Sequence, residues 1–457
     1  MNLFVKTIRV SALLGVLLLG ACRQVLEPEP VNLLTNELVL TLPSDVPAVE
    51  IGLYSAFRAT ASPKIIAGDF TADMAIHNGT FTDYRELSNK QITPSNGVVT
   101  GLWGNLYNTV YIANFILERL PELAGVPTRQ RNNVLATARL LRGYANFVGV
   151  YTYGDIPLVT TTAVTTNRNI GRTPVEQVLA AVEDDMLAAL PNLPDSSVNA
   201  TFVNKNTARA MLARFYLYSR NWPKADQYAT EVINSGSYSL EPDFRNLVTR
   251  DLTREAILEI GYNAGDDPGT STTGFGLNNL FVGRREVIPS NPITFALNSV
   301  ESGTRSATIG FNQSEVGGSD NGWTVLKYGT EGEENNGIVL FRLAEMHLIR
   351  AEARLNQNRV TGAGSAAEDL NVLRRRAKAP DVAANTAAGM ATAIEQERVY
   401  ELAFEGHRWY DLVRTGRVQA VMTAFSSNWN ERYERWPIPL REVQNNPALR
   451  GTQNPGY

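Results

Sequence analysis

The side chains that commonly carry enzyme chemistry are few and scattered in this sequence. The three histidines, His77, His347 and His407, lie far apart, and none has the i, i+4 spacing of a zinc-binding pair. The sequence contains no G-x-S-x-G nucleophile motif and no phosphate-binding glycine loop. Acidic pairs such as Asp69 with Asp73 could serve a glycosidase. A solvated loop, a calcium contact or a sugar-hydroxyl contact explains them more simply, so we expect a protein that is not an enzyme and has no cofactor.

Two segments rich in Gly, Ser, Thr and Asn, near residues 64–100 and 261–337, combine aromatic rings with polar side chains. This combination suits a sugar, which has an apolar ring face and a rim of hydroxyl groups. Long insertions of this kind are usually functional. From this chemistry we predict ligand contacts at Asp69, Asp73, His77, Asn78, Phe81 and Tyr84 in the first segment, and at Phe275, Asn279, Arg284 and Trp323 in the second.

Residues 1–21 predict a signal peptide. Lys6 and Arg9 precede an apolar run at residues 10–19, which is shorter than the roughly 20 residues that a membrane-spanning helix needs. The single cysteine, Cys22, directly follows Leu-Gly-Ala and resembles the lipidated cysteine of a bacterial lipobox. We therefore expect a lipid anchor at Cys22 and a tether at residues 22–36. A secreted protein with one free thiol is the alternative.

The composition is that of an ordinary globular protein. Of the 457 residues, 44% are hydrophobic and 19% are charged, and the formal net charge is −4. No basic tract suggests binding to nucleic-acid phosphates, so no nucleic-acid partner is expected. Because a lipidated Cys22 leaves no thiol for a disulfide, packing must stabilise the fold.

The strongest structural pattern is a pair of amphipathic helices at residues 207–236. Apolar residues share one face in each helix: Ala208, Leu212, Phe215 and Tyr216 in the first, and Ala225, Tyr228, Ala229, Val232 and Ile233 in the second. Residues 221–223 interrupt the first pattern, and Gly236 is expected to cap the second helix. Small residues at this spacing are typical of a tetratricopeptide repeat, in which paired helices approach closely.

Similar helix pairs are predicted elsewhere, at residues 47–59 with 102–120, 130–150 with 174–190, and 340–355 with 366–377. About four such pairs would bury a continuous core, because each pair alone leaves an apolar face bare. We therefore predict a mainly all-α fold, an α-α superhelix of tetratricopeptide-like pairs with long irregular insertions near residues 64–100 and 261–337. An irregular helical bundle with one chance repeat is the alternative.

Several motifs towards the end of the chain are more specific than a helical repeat. Residues 397–414 read ERVYELAFEGHRWYDLVR, residues 436–439 read WPIP, and the chain ends in QNPGY. Residues 151–158 read YTYGDIPL, and residues 342–353 read RLAEMHLIRAEA. These motifs resemble the signatures of the SusD/RagB family of outer-membrane lipoproteins. Glu27 and Glu29, soon after the lipobox, resemble the surface-export signal of Bacteroidota lipoproteins.

The resemblance implies a single SusD-like domain at residues 37–457 that captures an oligosaccharide at the exterior of the outer membrane. It also implies a partner, a SusC-like TonB-dependent transporter that receives the nutrient. Family ligand sites are formed by aromatic residues from loops outside the repeats, but those residues are not shared, so no site position carries over. A scaffold that binds a peptide or protein remains an alternative, as does a glycoside hydrolase.

The spacing of charges in residues 397–414 has a structural interpretation. Glu401, Glu405, Arg408 and Asp411 lie three or four residues apart and would form one ridge of a single helix. We expect this ridge to form an ion network that joins the terminal helices. Trp103 lies among apolar helical positions and is expected in the core, as is Trp222 at a turn between helices.

Overall fold

The computed structural model describes residues 39–261, 276–329 and 337–457. The signal peptide, Cys22, the tether and Phe275 lie outside the described residues, so the predictions made for them stay predictions. In chain order the helices are α1 Val46–Arg58, α2 Ala61–Phe70, α3 Thr82–Ser88, α4 Gly97–Arg119, α5 Thr128–Tyr153, α6 Val164–Asn167, α7 Val175–Ala189, α8 Lys205–Tyr218, α9 Trp222–Asn234, α10 Asn246–Thr249, α11 Asn291–Leu297, α12 Leu343–Leu355, α13 Ala366–Arg376, α14 Ala387–Glu401, α15 Arg408–Arg414, α16 Val418–Phe425 and α17 Leu440–Asn445.

Short strands occur between the helices and form three two-stranded antiparallel sheets within the described ranges. The strands are β1 Ala75–His77, β2 Ala256–Ile260, β3 Val287–Pro289, β4 Ile309–Phe311, β5 Trp323–Val325 and β6 Ile338–Arg342. The pairs are β1 with β3, β2 with β6, and β4 with β5. Each sheet joins parts of the chain that lie outside the long helices.

The long helices pack in sequence order. Neighbouring helices contact one another along the series α1, α4, α5, α7, α8, α9, α12 and α13. The apolar faces of all of these except α13 form a continuous core. A smaller apolar cluster lies between α12, α13 and α14. The prediction of a mainly α-helical fold is confirmed, and the two members of each predicted helix pair do contact each other.

The helix pair α8–α9 shows how the local sequence sets these elements. The Asn204 side chain accepts hydrogen bonds from the first turn of α8, and Asn221 caps α9 in the same way. As expected, residues 221–223 separate the two helical patterns. Trp222 and Pro223 begin α9, where proline needs no backbone N–H for a helical hydrogen bond. Gly236 follows α9 with a φ of +68°, as expected for a glycine cap.

The segment near residues 64–100 is not an irregular loop, so that expectation is wrong. It contains the end of α2, all of α3 and the start of α4. Most of α2 is buried, including Ile65, Ile66 and Phe70. A helix surrounded by other elements has no polar face, so its sequence shows no amphipathic period.

Residues 397–414 do not form a single helix either. Helix α14 ends at Glu401, and the chain then turns through Phe404 and Gly406, which have φ angles of +62° and +73°. Gly406 packs directly against Gly68 of α2, and a Cβ built on Gly68 would lie 2.2 Å from the carbonyl oxygen of Gly406. This close backbone contact requires glycine on both sides and starts α15 in a new direction.

The predicted ion network is present, although it uses different partners from those of a single helical ridge. Glu401 accepts hydrogen bonds from Arg305 at 2.7 Å and from Arg342 at 2.6 Å, and all three side chains are at most 3% exposed. The network continues to further buried groups: Glu255, Arg376, Glu397 and Glu405. It joins the β2–β6 sheet, α13 and α14, so it stabilises the packing of the C-terminal half.

Of the two tryptophans expected in the core, Trp103 is buried, and Trp222 is partly buried against the same core.

Candidate functional site

A pair of aromatic rings lies at the outer end of the β4–β5 hairpin. Phe311 and Trp323 are direct cross-strand partners, and their ring centroids are 5.0 Å apart with an angle of 47° between the planes. Ile309 and Val325 lie on the same face two pairs further along, but they are buried. The hairpin therefore extends from the core into solvent, where Phe311 is 51% exposed.

The loop that joins β4 to β5 is exposed throughout residues 311–319 and carries polar side chains. Gly322 brings the loop back beneath Phe311 with a φ of +79°. A Cβ built there would lie 2.8 Å from the Phe311 ring, so only glycine fits this position. The exposed Phe311 ring therefore packs closely over the Gly322 backbone.

A second aromatic ring, Phe81, lies beneath the guanidinium group of Arg284. The Arg284 Cζ atom is 4.4 Å from the centroid of the partly exposed Phe81 ring, within range of a cation–π contact. The buried Glu286 accepts hydrogen bonds from the backbone N–H groups of Thr80 at 2.6 Å and Phe81 at 2.9 Å, and from Arg284 Nε at 3.2 Å. Burial acts to raise the pKa of Glu286, but these hydrogen bonds hold it below its usual value.

Arg285 connects the two aromatic positions. Its guanidinium group donates to Asp320 Oδ1 at 2.7 Å and to the backbone oxygen of Trp323 at 3.3 Å. Asn78 donates to the Arg285 carbonyl at 3.1 Å and to Asp320 Oδ2 at 2.9 Å. Burial acts to raise the pKa of Asp320, but hydrogen bonds from Arg285 and Gly322 hold it below its usual value. We call Phe81, Arg284, Phe311 and Trp323 the aromatic surface.

Several residues predicted to contact a ligand are instead buried in the fold, and for these the prediction is wrong. Asp69 is 1% exposed and accepts the N–H of Gly406 at 2.7 Å, and burial raises its pKa to about 7. Asp73 pairs with Arg408 at 2.8 Å. Tyr84 and Asn279 are also buried. Their position in helices and turns packed against other elements removes them from the surface.

His77 and Asn78 have structural contacts at the edge of the aromatic surface. His77 lies in β1, its backbone N–H donates to Ser88 at 2.7 Å, and burial lowers the pKa of its imidazole. Asn78 is held by Arg285 and Asp320 as described above. Of the predicted set, the structure brings Phe81 and Arg284 into contact and connects them to Trp323 through Arg285, which Asn78 supports.

Phe311 belongs to this surface, but residue chemistry alone did not single it out. Phe311 and Trp323 flank a glycine-rich polar loop, which is the pattern of two hairpin strands with an aromatic cross-strand pair. That pattern was the available signal. It becomes visible only when the strand register is considered.

The chemistry that the aromatic surface offers is adsorption rather than bond breaking. Exposed rings pack against flat apolar faces, and the neighbouring amide, hydroxyl and guanidinium groups hydrogen-bond to polar rims. Among the described residues, no group of three or more His, Cys, Asp or Glu side chains could hold a metal ion. Within the same ranges, no helix is both long and apolar enough to span a membrane.

A second exposed ring contact exists on another part of the molecule. Phe202 packs edge-on against Tyr54 with a centroid distance of 5.3 Å, beside an open cavity of about 590 Å³. The exposed Phe295 on α11 is 82% exposed. Phe202 and Phe295 are exposed phenylalanines outside the aromatic surface, so substitutions at them can serve as controls for substitutions in it.

Comparison with known proteins places the chain in a family. The family model described as "Starch-binding associating with outer membrane" matches residues 40–217, and the model of the SusD family matches residues 297–457. The chain belongs to the SusD family.

Individual relatives match either nearly the whole chain or a part of it. SusD-like protein P38 of Formosa agariphila is 26% identical over 97% of this chain and 98% of its own length. Starch-binding protein SusD of Bacteroides thetaiotaomicron is 35% identical over a shorter region, 26% of this chain and 21% of that protein. The structure of a laminarin-binding SusD-like protein superposes with a TM-score of 0.78 at 23% identity, covering 91% of this chain and 99% of that chain. This likeness shows that the two proteins share a fold.

Proposed function

We propose that this protein binds an oligosaccharide at the aromatic surface and delivers it to a SusC-like TonB-dependent transporter in the outer membrane. The observation that carries the proposal is the cross-strand pair of the exposed Phe311 and the half-buried Trp323, whose ring centroids lie 5.0 Å apart on a hairpin outside the helical scaffold. Two relatives with the same fold or family are named for binding starch and laminarin, which supports a glycan as the ligand.

The geometry favours a modest affinity. Each ring that packs on a sugar contributes about 0.5–1.5 kcal/mol beyond area burial. A few such contacts correspond to a dissociation constant in roughly the micromolar to millimolar range for a short oligosaccharide. Weak capture suits a protein that must release its ligand to a transporter. No covalent step is part of this function, so the protein is proposed to act without enzymatic activity.

Membrane attachment is part of the proposal. The SusD-family description that matches residues 40–217 names association with the outer membrane, and Cys22 follows an apolar run in the arrangement of a lipobox. We propose that acylated Cys22 anchors the protein on the outer face. Anchoring beside the transporter raises the effective ligand concentration there and offsets the modest affinity.

The first experiment is isothermal titration of soluble protein that begins after Cys22. The ligands are oligosaccharides from starch, laminarin and other plant, host and microbial glycans, with reducing-end release followed in parallel. Binding to one class without release of reducing ends is expected. Release of reducing ends would instead identify a glycoside hydrolase, and no binding across the panel would favour a peptide or protein ligand.

A double substitution then locates the site. Phe311→Ala with Trp323→Ala is expected to weaken binding of the identified glycan by roughly tenfold or more, because both ring contacts are removed. Phe295→Ala is the matched control, since it also removes an exposed phenylalanine but lies on α11. Equal affinity for the double variant and the wild type would reject the aromatic surface. A loss in Phe202→Ala instead would move the site to the Tyr54–Phe202 contact.

Lipidation and delivery are tested in cells. Metabolic labelling with a fatty acid is expected to label the wild-type protein but not the Cys22→Ala variant. The variant is also expected to reduce uptake of the identified glycan while leaving binding by the soluble domain unchanged. Labelling of the Cys22→Ala variant, or uptake equal to that of the wild type, would contradict the anchoring role.

A further inference from the structure

An open groove lies on a different part of the molecule from the aromatic surface. It has a volume of about 590 Å³ and lies between α1, the start of α5 and the segment at residues 194–203 that leads into α8. None of its lining residues belongs to the aromatic surface. Cavities of roughly 300–1,000 Å³ are typical of sites for small molecules. We call it the Glu50 groove, after the carboxylate that lines it.

Glu50 is a partly buried carboxylate in the wall of this groove, on α1. Within the described part of the chain it forms no ion pair and its side chain accepts no hydrogen bond. Burial alone raises the pKa of Glu50, because no nearby cation or donor opposes it. Removing a carboxylate from water without giving it a partner is unfavourable. A cationic ligand in the groove would supply that partner.

Arg129 also lines the groove, but it does not neutralise Glu50. Its side chain is exposed, and its charge acts on a different carboxylate. Lys205 and, to a smaller degree, Arg129 hold the pKa of Asp195 below its usual value, whereas Arg129 has no such effect on Glu50. The negative charge of Glu50 therefore remains uncompensated inside the groove.

Two aromatic rings form a corner beside Glu50. Tyr54 follows Glu50 by four residues on α1, so the two side chains share one face of the helix. Burial raises the pKa of Tyr54, and the charge of Glu50 adds to that rise, which indicates that the carboxylate lies near the ring. Phe202 is 43% exposed and meets Tyr54 at a centroid distance of 5.3 Å with 79° between the planes. An ammonium group is attracted to ring faces as well as to a carboxylate.

The Tyr54 ring is held in place by its hydroxyl group, which accepts the backbone N–H of Val203 at 3.1 Å. Gln130 and Ser196 also line the groove, and their side chains make no hydrogen bond to any described residue. An amide and a hydroxyl group each donate to and accept from the hydroxyl groups of a ligand. Apolar side chains complete the wall: Pro127, Val134, Pro194, Val198 and Val203. This combination suits a sugar ring, which has apolar faces and a rim of hydroxyl groups.

We propose that the Glu50 groove binds a protonated amino sugar, with its ammonium group between the Glu50 carboxylate and the rings of Tyr54 and Phe202. The groove is separate from the aromatic surface, and the inference does not rest on the function proposed there. It gives the protein a second binding activity, directed at sugars that carry a free amino group.

The test is isothermal titration at about pH 6, where a sugar amine is protonated. The probes are the trisaccharide of glucosamine, its fully N-acetylated counterpart and trilysine. Both the wild-type protein and the Phe311→Ala, Trp323→Ala double variant are titrated, since the double variant removes any contribution from the aromatic surface. In the double variant, the glucosamine trisaccharide is expected to bind at least tenfold more tightly than either other probe. The N-acetylated form lacks the charge, and trilysine lacks the sugar rings.

Two pairs of variants locate the binding. Glu50→Gln keeps the shape of the side chain but removes its charge, so it should weaken binding of the glucosamine trisaccharide about tenfold or more. Glu122→Gln is the matched control and should leave the affinity unchanged, because Glu122 is exposed and lies outside the lining. Phe202→Ala should also weaken binding, whereas Phe295→Ala should not. Since Glu50 has no ion pair to lose, Glu50→Gln is expected to fold normally.

The proposal is overturned by any of four results. These are no binding of the glucosamine trisaccharide, equal binding of its N-acetylated form in the double variant, trilysine binding as tight as that of the trisaccharide, and equal affinity in the Glu50→Gln and Glu122→Gln proteins. Tight binding of trilysine would favour a peptide ligand instead. Binding of neutral glycans at the aromatic surface should be unchanged in Glu50→Gln, so a failure of the function proposed there can be distinguished from a failure here.

Discussion

Replacing Glu401 by glutamine is expected to lower the free energy of unfolding by about 3–5 kcal/mol. The Glu401 carboxylate is fully buried and pairs with Arg305, Arg342 and Arg376. Glutamine has nearly the same shape but no charge, and its NH₂ group would face the donors of these arginines. The substitution therefore leaves buried guanidinium groups with too few carboxylates, which is more unfavourable than losing a surface ion pair.

Glu395→Gln on the same helix is the matched control. Glu395 pairs with Arg408 at 3.2 Å and with Arg417 at 3.0 Å, but its side chain is 27% exposed. Water can replace much of what these pairs provide, so the change should lower the free energy of unfolding by at most about 1 kcal/mol. The same Glu→Gln substitution at the two positions thus compares how much a buried and a partly solvated ion pair contribute to the free energy of unfolding.

The pH dependence has a defined sign. Burial acts to raise the pKa of Glu401, but Arg376, Arg342 and Arg305 together hold it well below its ordinary value of 4.5. Because the folded-state pKa is lowered, the unfolded chain binds the proton first as the pH falls. The stabilisation by Glu401 is therefore complete above pH 4.5 and decreases below it. The difference between wild type and Glu401→Gln should shrink over the same range.

The assay is urea unfolding at pH 7 and at lower pH, followed by the fluorescence of the six tryptophans. The free energy of unfolding comes from linear extrapolation, and equal slopes indicate that the folded and unfolded states are comparable between variants. The reasoning is refuted if Glu401→Gln and Glu395→Gln agree within about 1 kcal/mol at pH 7. If the difference in free energy of unfolding between wild type and Glu401→Gln does not change with pH, the buried packing of Glu401 matters but its charge does not.

Two further predictions concern the packing around α2 and α3. Gly406→Ala should destabilise the protein by several kcal/mol more than Gly416→Ala in thermal or urea unfolding. Both glycines have positive φ angles, but a Cβ on Gly406 would lie 2.7 Å from Ile65 Cα, whereas one on Gly416 meets nothing within 4 Å. Equal losses of stability in the two variants would show that the backbone can shift at Gly406. Lys90→Met should lower stability by about 1–3 kcal/mol, because the buried ammonium group donates to three backbone carbonyls. Burial lowers the pKa of Lys90 to about 7. The free energy of unfolding of the wild type should therefore rise between pH 7 and 10.5, the ordinary pKa of lysine, and Lys90→Met should lose that rise. If the free energy of unfolding depends on pH equally in the two proteins, the pKa of Lys90 is not lowered.

The sequence alone determined the helical scaffold and the family. In α8 and α9, apolar residues repeat at the helical period, and capping residues mark where each helix begins. These signals are local, because a helix contacts its own residues three and four positions away. Motifs such as the one at residues 397–414 are also contiguous, so they could be recognised without knowing which residues they contact.

Features that depend on distant contacts were decided only by the tertiary structure. Asp69 resembles a loop carboxylate in the sequence, but it is buried because Gly406, 337 positions away, packs over it. Phe311 and Trp323 form one surface only because the strand register pairs them. Arg398 of α14 and Asp411 of α15, 13 positions apart, pair at 2.7 Å only because the chain turns between the two helices. These contacts arise from residues brought together by folding, and local periodicity does not specify which distant residues will meet.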